Sequence, residues 1–174
     1  MQDSSFTETK TDNNCAFCKI IRSEAPAYIV FEDQISLAFL DIRPLFPGHC
    51  LLLPKAHYET LADLPASLVS PLFQNAQLME RAIEAGLKAD GTFVAINNRI
   101  SQSVPHMHIH IVPRHKNDGL KGFFWPRQSY KDEATILNIR NTLRSSIAKV
   151  QTNELDKNVP FRFSRSSSTY PEVN

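Results

Sequence analysis

The chain has 174 residues, long enough for one domain with a real core, and its 42% hydrophobic and 21% charged content is that of a globular protein in water. A formal net charge of +1 excludes the strong single-sign field expected of a nucleic-acid-binding or membrane-surface protein. No apolar run approaches the roughly 20 residues of a membrane span, the polar start MQDSSFTETKTDNN has no signal-peptide core, and three cysteines, Cys15, Cys18 and Cys50, are too few for a disulfide scaffold. The expectation is a cytoplasmic protein with neither nucleic acid nor membrane as partner.

Residues 1–13, rich in Ser, Thr, Asp, Asn and Gln, read as a disordered leader, and 156–174 as a loosely ordered tail, leaving a domain over 14–155. CAFCKIIRS suggests a short helical turn. YIVFED (28–33) and SLAFLD (36–41) read as a tight hairpin. IRPLFPG (42–48), with two prolines and a glycine, is a loop, and HCLLLP (49–54) is a strand covered on both faces. A helical pattern of Leu64, Leu68, Leu72, Leu78, Ile83 and Leu87 follows, with Pro71 arguing that the regular helix begins near that residue. TFVAIN (92–97) is a strand, NRISQS a polar loop, and 106–112 a further strand; KDEATILNIRNTLRSSIAKV (131–150) is a second amphipathic helix. Local hairpins around one long helix predict an α+β domain with an antiparallel sheet rather than a doubly wound parallel one. No glycine-rich phosphate loop is present.

Within VPHMHIHIVPR, three of the six histidines, His106, His108 and His110, stand at every second position. On a strand such residues share one face, while Met107, Ile109 and Ile111 face the core and fix the register. Solvated or core histidines, a metal site, or catalysis all fit single residues; the row of three on a stiff element favours the last two.

The pattern H-x-H-x-H with apolar x resembles the signature of the histidine triad (HIT) nucleotide hydrolases and transferases. The resemblance extends over 15–57, including Phe39, Asp41, Pro44, Gly48-His49 and Pro54-Lys55-x-His57, and over QSVPHMHIHIVPR, 102–114; the nearest branch is the Hint-like phosphoramidases and bacterial HIT proteins. It implies an antiparallel sheet of about five strands, a long helix and a C-terminal helix, dimerising into a ten-stranded sheet. It implies that His108 attacks the α-phosphorus of a nucleotide to form a nucleotidyl-histidine, that water then releases a purine nucleoside monophosphate such as AMP, and that the substrate is a nucleoside 5′-phosphoramidate. His110, with Gln102 and Ser103, would contact the phosphate or leaving group; His49 would support the site; Asp41 would take the ribose hydroxyls. Phe17, Ile20, Phe39 and Ile42 would enclose the base, and Asn97 or Asn98 would contact sugar or phosphate. A dinucleoside polyphosphate hydrolase and a slow nucleotide-binding regulatory protein are the alternatives.

Cys15-x-x-Cys18 has a spacing suited to a tetrahedral metal. The resemblance pairs it with His57 and His106 as a closed structural zinc site, against the alternative of two reduced buried thiols. Cys50 reads as a small core residue. The chain departs from the family at NNRISQ, which is shorter and lacks the usual glycines, and at GFFWP, where Trp125-Pro126 resembles a displaced Hint pair or else serves as interface or core.

Overall fold

The computed structural model of the chain describes residues 11–119 and 129–155. The chain divides into two compact units, 1–120 and 121–174. The first carries a six-residue helix α1 (Ala16–Ile21), strands β1 (Ile29–Glu32), β2 (Ser36–Leu40) and β3 (Cys50–Pro54), a 3-10 turn at Leu61–Asp63, the long helix α2 (Ala66–Leu87), and strands β4 (Gly91–Ala95) and β5 (Ile109–Arg114). In the second lies helix α3 (Glu133–Leu155), which sequence reading had placed in the 14–155 domain. GFFWP, the 156–174 tail and residues 1–10 of the leader lie outside the described residues; residues 11–13 of the leader enter a turn in which Asn14 N–H donates to Asp12 Oδ1 at 2.8 Å. Among the described residues no helix is long and apolar enough to cross a membrane.

The sheet is antiparallel throughout, in the order β1-β2-β3-β5-β4. The β1–β2 hairpin is closed by Asp33, whose Oδ1 accepts from the backbone N–H groups of Ile35 and Ser36 at 2.9 and 2.7 Å, an aspartate turn that sets the register. All five residues of β3 are buried, as a run without alternation requires of a central strand. One face of the sheet packs against α2: Ala38, Leu52, Met107, Ile109 and Ile111 meet Leu72, Ala76, Met79 and Ile83. On the other face α1 is pinned by Cys15, Phe17 and Cys18 against Leu37, Phe39, Leu51 and Leu53. Every functional candidate described below belongs to this second face or its rim.

Two boundaries differ from expectation for physical reasons. Helix α2 starts at Ala66 and contains Pro71, rather than beginning near it. Pro71 removes only the bond its N–H would have given to Ser67, while Leu68 N–H still bonds Pro65 O at 2.9 Å and the apolar stripe from Leu72 onward holds the helix down. The ladder of β5 starts at Ile109, so of the three histidines only His110 stands in regular strand. Residues just before it are drawn off by other partners: Met107 N–H donates to Tyr58 O at 2.6 Å and His106 N–H to Val104 O at 2.8 Å. The alternation of faces nevertheless continues through them, with Met107 on the α2 side and His106 and His108 on the α1 side.

Candidate functional site

Four side chains from three parts of the chain converge beside α1. Cys15 and Cys18 sit at its start, His57 follows β3, and His106 precedes β5; all four are buried, and their ligand atoms lie within 4.8 Å of one another. Cys15 Sγ is 3.5 Å and Cys18 Sγ 3.6 Å from His106 Nδ1, and Cys18 Sγ is 3.4 Å from His57 Nδ1. A backbone carbonyl assigns the tautomer of His106. Its Nε2–H donates to Pro54 O at 2.9 Å, which leaves the Nδ1 lone pair directed at both thiols. Burial holds His106 well below its ordinary pKa, to about 4, so the ring is neutral as a metal ligand must be. Burial also pushes the Cys18 thiol up, so a thiolate there calls for a neighbouring cation. Two thiolates and two imidazoles in a closed cluster are the donor set of a tetrahedral structural zinc. The residues present fit that ion.

Beside this cluster opens a cavity of about 520 Å³, a size suited to a small-molecule ligand. Phe17, Ile20, Phe39 and Ile42 form apolar wall; Asp41, Ser103, His108 and His110 supply polar groups. Phe17 sits edge-on to Phe39 at 5.5 Å and to His108 at 5.1 Å between ring centres, so it joins the apolar wall to the imidazole. Ile42 is 80% exposed, an apolar surface available for a planar ligand to cover. Asp41 is less free than the sequence suggests: its Oδ1 accepts from Arg43 N–H at 2.8 Å, and its Oδ2 lies 3.6 Å from His49 Nδ1. Each oxygen retains a lone pair for a ligand hydroxyl.

The imidazoles at the cavity are oriented one by one. His108 Nδ1–H donates to His106 O at 2.6 Å, so the Nε2 of this cavity-lining ring keeps its lone pair. His49 Nδ1 accepts from Leu45 N–H at 3.3 Å, so its Nε2–H donates to His110 Nδ1 at 3.0 Å. His110, another lining residue, is therefore left with a donor, Nε2–H. Burial, with the neighbouring imidazoles His108 and His49, lowers His110 to about 4; burial likewise lowers His108 and His49. The site thus presents one nitrogen lone pair and one N–H donor from neighbouring neutral rings whose centres are 4.8 Å apart.

Four of the residues considered, His49, Gln102, Asn97 and Asn98, are not among those that line the cavity. His49 stands behind His110 and donates to its Nδ1. Gln102 is turned into its own loop: its Nε2 donates to Glu59 O at 2.6 Å and its Oε1 accepts from Arg99 N–H at 2.7 Å, so it braces the segment that carries Ser103. Asn97 is half-buried, while Asn98 Oδ1 accepts from Leu61 N–H at 2.8 Å. The loop lacks glycine, yet Arg99 and Ser101 take left-handed backbone angles, φ 67° and 58°, the conformation glycine would adopt most easily. Seven lining residues were not foreseen, among them Arg43, Leu51 and Val104. For Arg43 a signal existed, a cation two positions after Asp41 in a proline-bounded loop; Leu51 and Val104 look like any core residue.

Comparison with known proteins bears on the same residues. The family profile described as HIT domain matches residues 22–117. The chain is 37% identical over 138 residues to an adenylylsulfatase of Arabidopsis thaliana, covering 78% of this chain and 68% of that protein. It is 39% identical over 121 residues to an adenosine 5′-monophosphoramidase of Saccharomyces cerevisiae, covering 67% and 73%. A zinc-bound histidine triad protein of Mycobacterium smegmatis superposes with a TM-score of 0.59 at 36% identity, over 80% of this chain and 97% of that one.

Proposed function

The chain belongs to the HIT family, and on that premise we propose that it is a nucleotide hydrolase that cleaves the bond from the α-phosphorus of a nucleoside 5′-phosphoramidate, or of a related adenylylated compound, to its leaving group. The observation that carries this reading is the His108 hydrogen bond. With Nδ1–H held by the His106 carbonyl, the Nε2 of this cavity-lining ring keeps its lone pair and is the nucleophilic nitrogen of the reading. Attack by Nε2 forms an N–P bond and breaks the bond to the leaving group, which departs with the electron pair and takes up a proton. The ring then carries a positive charge, and the carbonyl of His106 stabilises it through the Nδ1–H. Water next attacks the phosphorus and gives up one proton to solvent, the N–P bond breaks with its electron pair returning to Nε2, and neutral His108 is restored as the nucleoside monophosphate leaves. The Nε2–H of His110 is suited to donate to an α-phosphate oxygen as charge builds there.

The purine is read as lying between Phe17, Ile20, Phe39 and Ile42, with Asp41 at the ribose hydroxyls and Ser103 by the phosphate. Zinc held by Cys15, Cys18, His57 and His106 would supply no chemistry to the substrate. It would tie α1, which carries Phe17 and Ile20, to the segment that carries His108. A homodimer through the free edge of β4 and the outer face of α2 is supported by exposed apolar side chains on both, Val94 at 44% and Leu78 at 50%.

The test is release of AMP from adenosine 5′-phosphoramidate by purified protein and by His108→Ala. Turnover by the parent chain and none by the variant, with AMP binding retained in both, sustains the reading. Equal turnover by both removes His108 as nucleophile, and AMP binding without turnover in either leaves the slow nucleotide-binding protein in its place.

A further inference from the structure

The cavity contains one charge that the proposed chemistry does not use. Of its lining residues only Arg43 carries a permanent positive charge, and only Asp41 a negative one. Among the described residues the guanidinium of Arg43 has no hydrogen-bond or ion-pair partner; only its backbone N–H is engaged, with Asp41 Oδ1. Arg22, Lys55 and Arg114 are paired with Glu24, Glu32 and Asp118, whereas Arg43 stands exposed at the rim of the cavity. The carboxylate nearest in sequence, Asp41, meets the Arg43 backbone and His49 and makes no ion pair with the Arg43 guanidinium.

The backbone around Arg43 is held. The aspartate turn fixes its amide, and Pro44 restricts the residue before it to extended conformations. The guanidinium therefore starts from a defined point on the rim, next to the carboxylate assigned to the ribose. The proposed chemistry gives an α-phosphate one imidazole donor, the Nε2–H of His110, while the Nε2 of His108 turns its lone pair to the phosphorus. His49 and His110 accept at Nδ1 and so are neutral, and they offer hydrogen bonds but no charge. A guanidinium on the rim beside the carboxylate assigned to the ribose suits a planar or tetrahedral oxyanion placed there, which it binds through paired N–H donors.

We propose that Arg43 is a specificity-determining residue that selects nucleotides bearing a second phosphate-like anion in addition to the α-phosphate. This rests on the nucleotide-pocket reading above and deepens it. The second anion has two chemical sources: a phosphate on the ribose, or an anionic group on the leaving side of the α-phosphorus. The chemistry at Arg43 is the same for both.

Calorimetric titration separates the sources and tests the idea. The chain, Arg43→Gln and Arg43→Lys are each titrated with AMP, with adenosine 3′,5′-bisphosphate and with the non-cleavable α,β-methylene analogue of ADP. In the parent chain at least one of the two doubly anionic ligands binds about tenfold more tightly than AMP, the scale of a hydrogen bond to a charged group. Arg43→Gln reduces that ratio to about one while changing AMP affinity little, and Arg43→Lys keeps part of it. The ligand whose ratio collapses identifies the source. Ratios near one in the parent chain, or ratios that survive Arg43→Gln, overturn the proposal and leave the pocket reading intact. Failure of the parent chain to bind AMP at all overturns the pocket reading and this proposal together.

Discussion

His106 and His108 are two residues apart on one ribbon, both buried, both hydrogen-bonded through one ring nitrogen to a backbone carbonyl, yet they serve different ends. His106 gives its Nε2–H to Pro54 O and turns Nδ1 to the thiols of Cys15 and Cys18. His108 gives its Nδ1–H to His106 O and keeps Nε2 for the cavity. The difference between the candidate metal ligand and the proposed nucleophile is a matter of which nitrogen the backbone occupies. A histidine's role is set by the partner of its other nitrogen, more than by its place in a motif.

The comparison breaks most sharply at the nucleophile. His108→Ala is expected to lower turnover of adenosine 5′-phosphoramidate at least ~1000-fold, as loss of a covalent nucleophile does in other hydrolases. The metal content of that variant, measured by mass spectrometry of the native protein, should stay at the parent value. Loss of metal along with activity would mean the two sites are one. The converse disruption is Cys15→Ser with Cys18→Ser. It should abolish bound zinc and lower the thermal midpoint by roughly 10 °C, because a structural site contributes folding free energy directly. Unchanged zinc content would leave these cysteines as buried thiols.

A smaller effect is expected behind the second imidazole. In the proposed mechanism His49 acts only through its hydrogen bond to His110, so His49→Ala should reduce kcat about tenfold, the value of one buried hydrogen bond, with KM for the phosphoramidate nearly unchanged. His49→Gln, which can still donate to His110 Nδ1, should recover part of the loss. Equal loss in both variants would point to a packing role for the ring.

Much of this was readable in advance, for definable reasons. Alternation of His106, His108 and His110 with Met107, Ile109 and Ile111 needs only extended backbone and one buried face, and the apolar set is indeed fully buried. The thiol pair was readable from spacing alone, whereas its imidazole partners came from likeness to a family. What stayed hidden was decided by the backbone. The carbonyls of Pro54 and His106 choose the tautomers, and no side-chain pattern announces a carbonyl. Gln102 was expected at the phosphate or leaving group only because it matches the family's Q-S/T before the triad; its loop engages both ends of that amide with Glu59 and Arg99. Pro71 looked like a helix start because proline removes a bond, but one lost bond is less than the stripe from Leu72 to Ile83 supplies.

The mildest probe of the comparison is acid. His110 lies well below its ordinary value, at about 4, because it is buried among His108 and His49. In the unfolded chain the same ring takes a proton near pH 6.5. Between these values the unfolded state binds more protons than the folded one, so stability is complete above about pH 6.5 and declines as pH falls toward 4. His110→Asn has no proton to take up at that position. Urea midpoints measured at about pH 7 and about pH 5 should therefore fall further for the parent chain than for His110→Asn, with zinc content followed in parallel at both values. Identical falls in the two proteins, at constant zinc, would mean that the ring of His110 is as free to protonate in the fold as outside it, and that the His49 hydrogen bond does not hold it neutral.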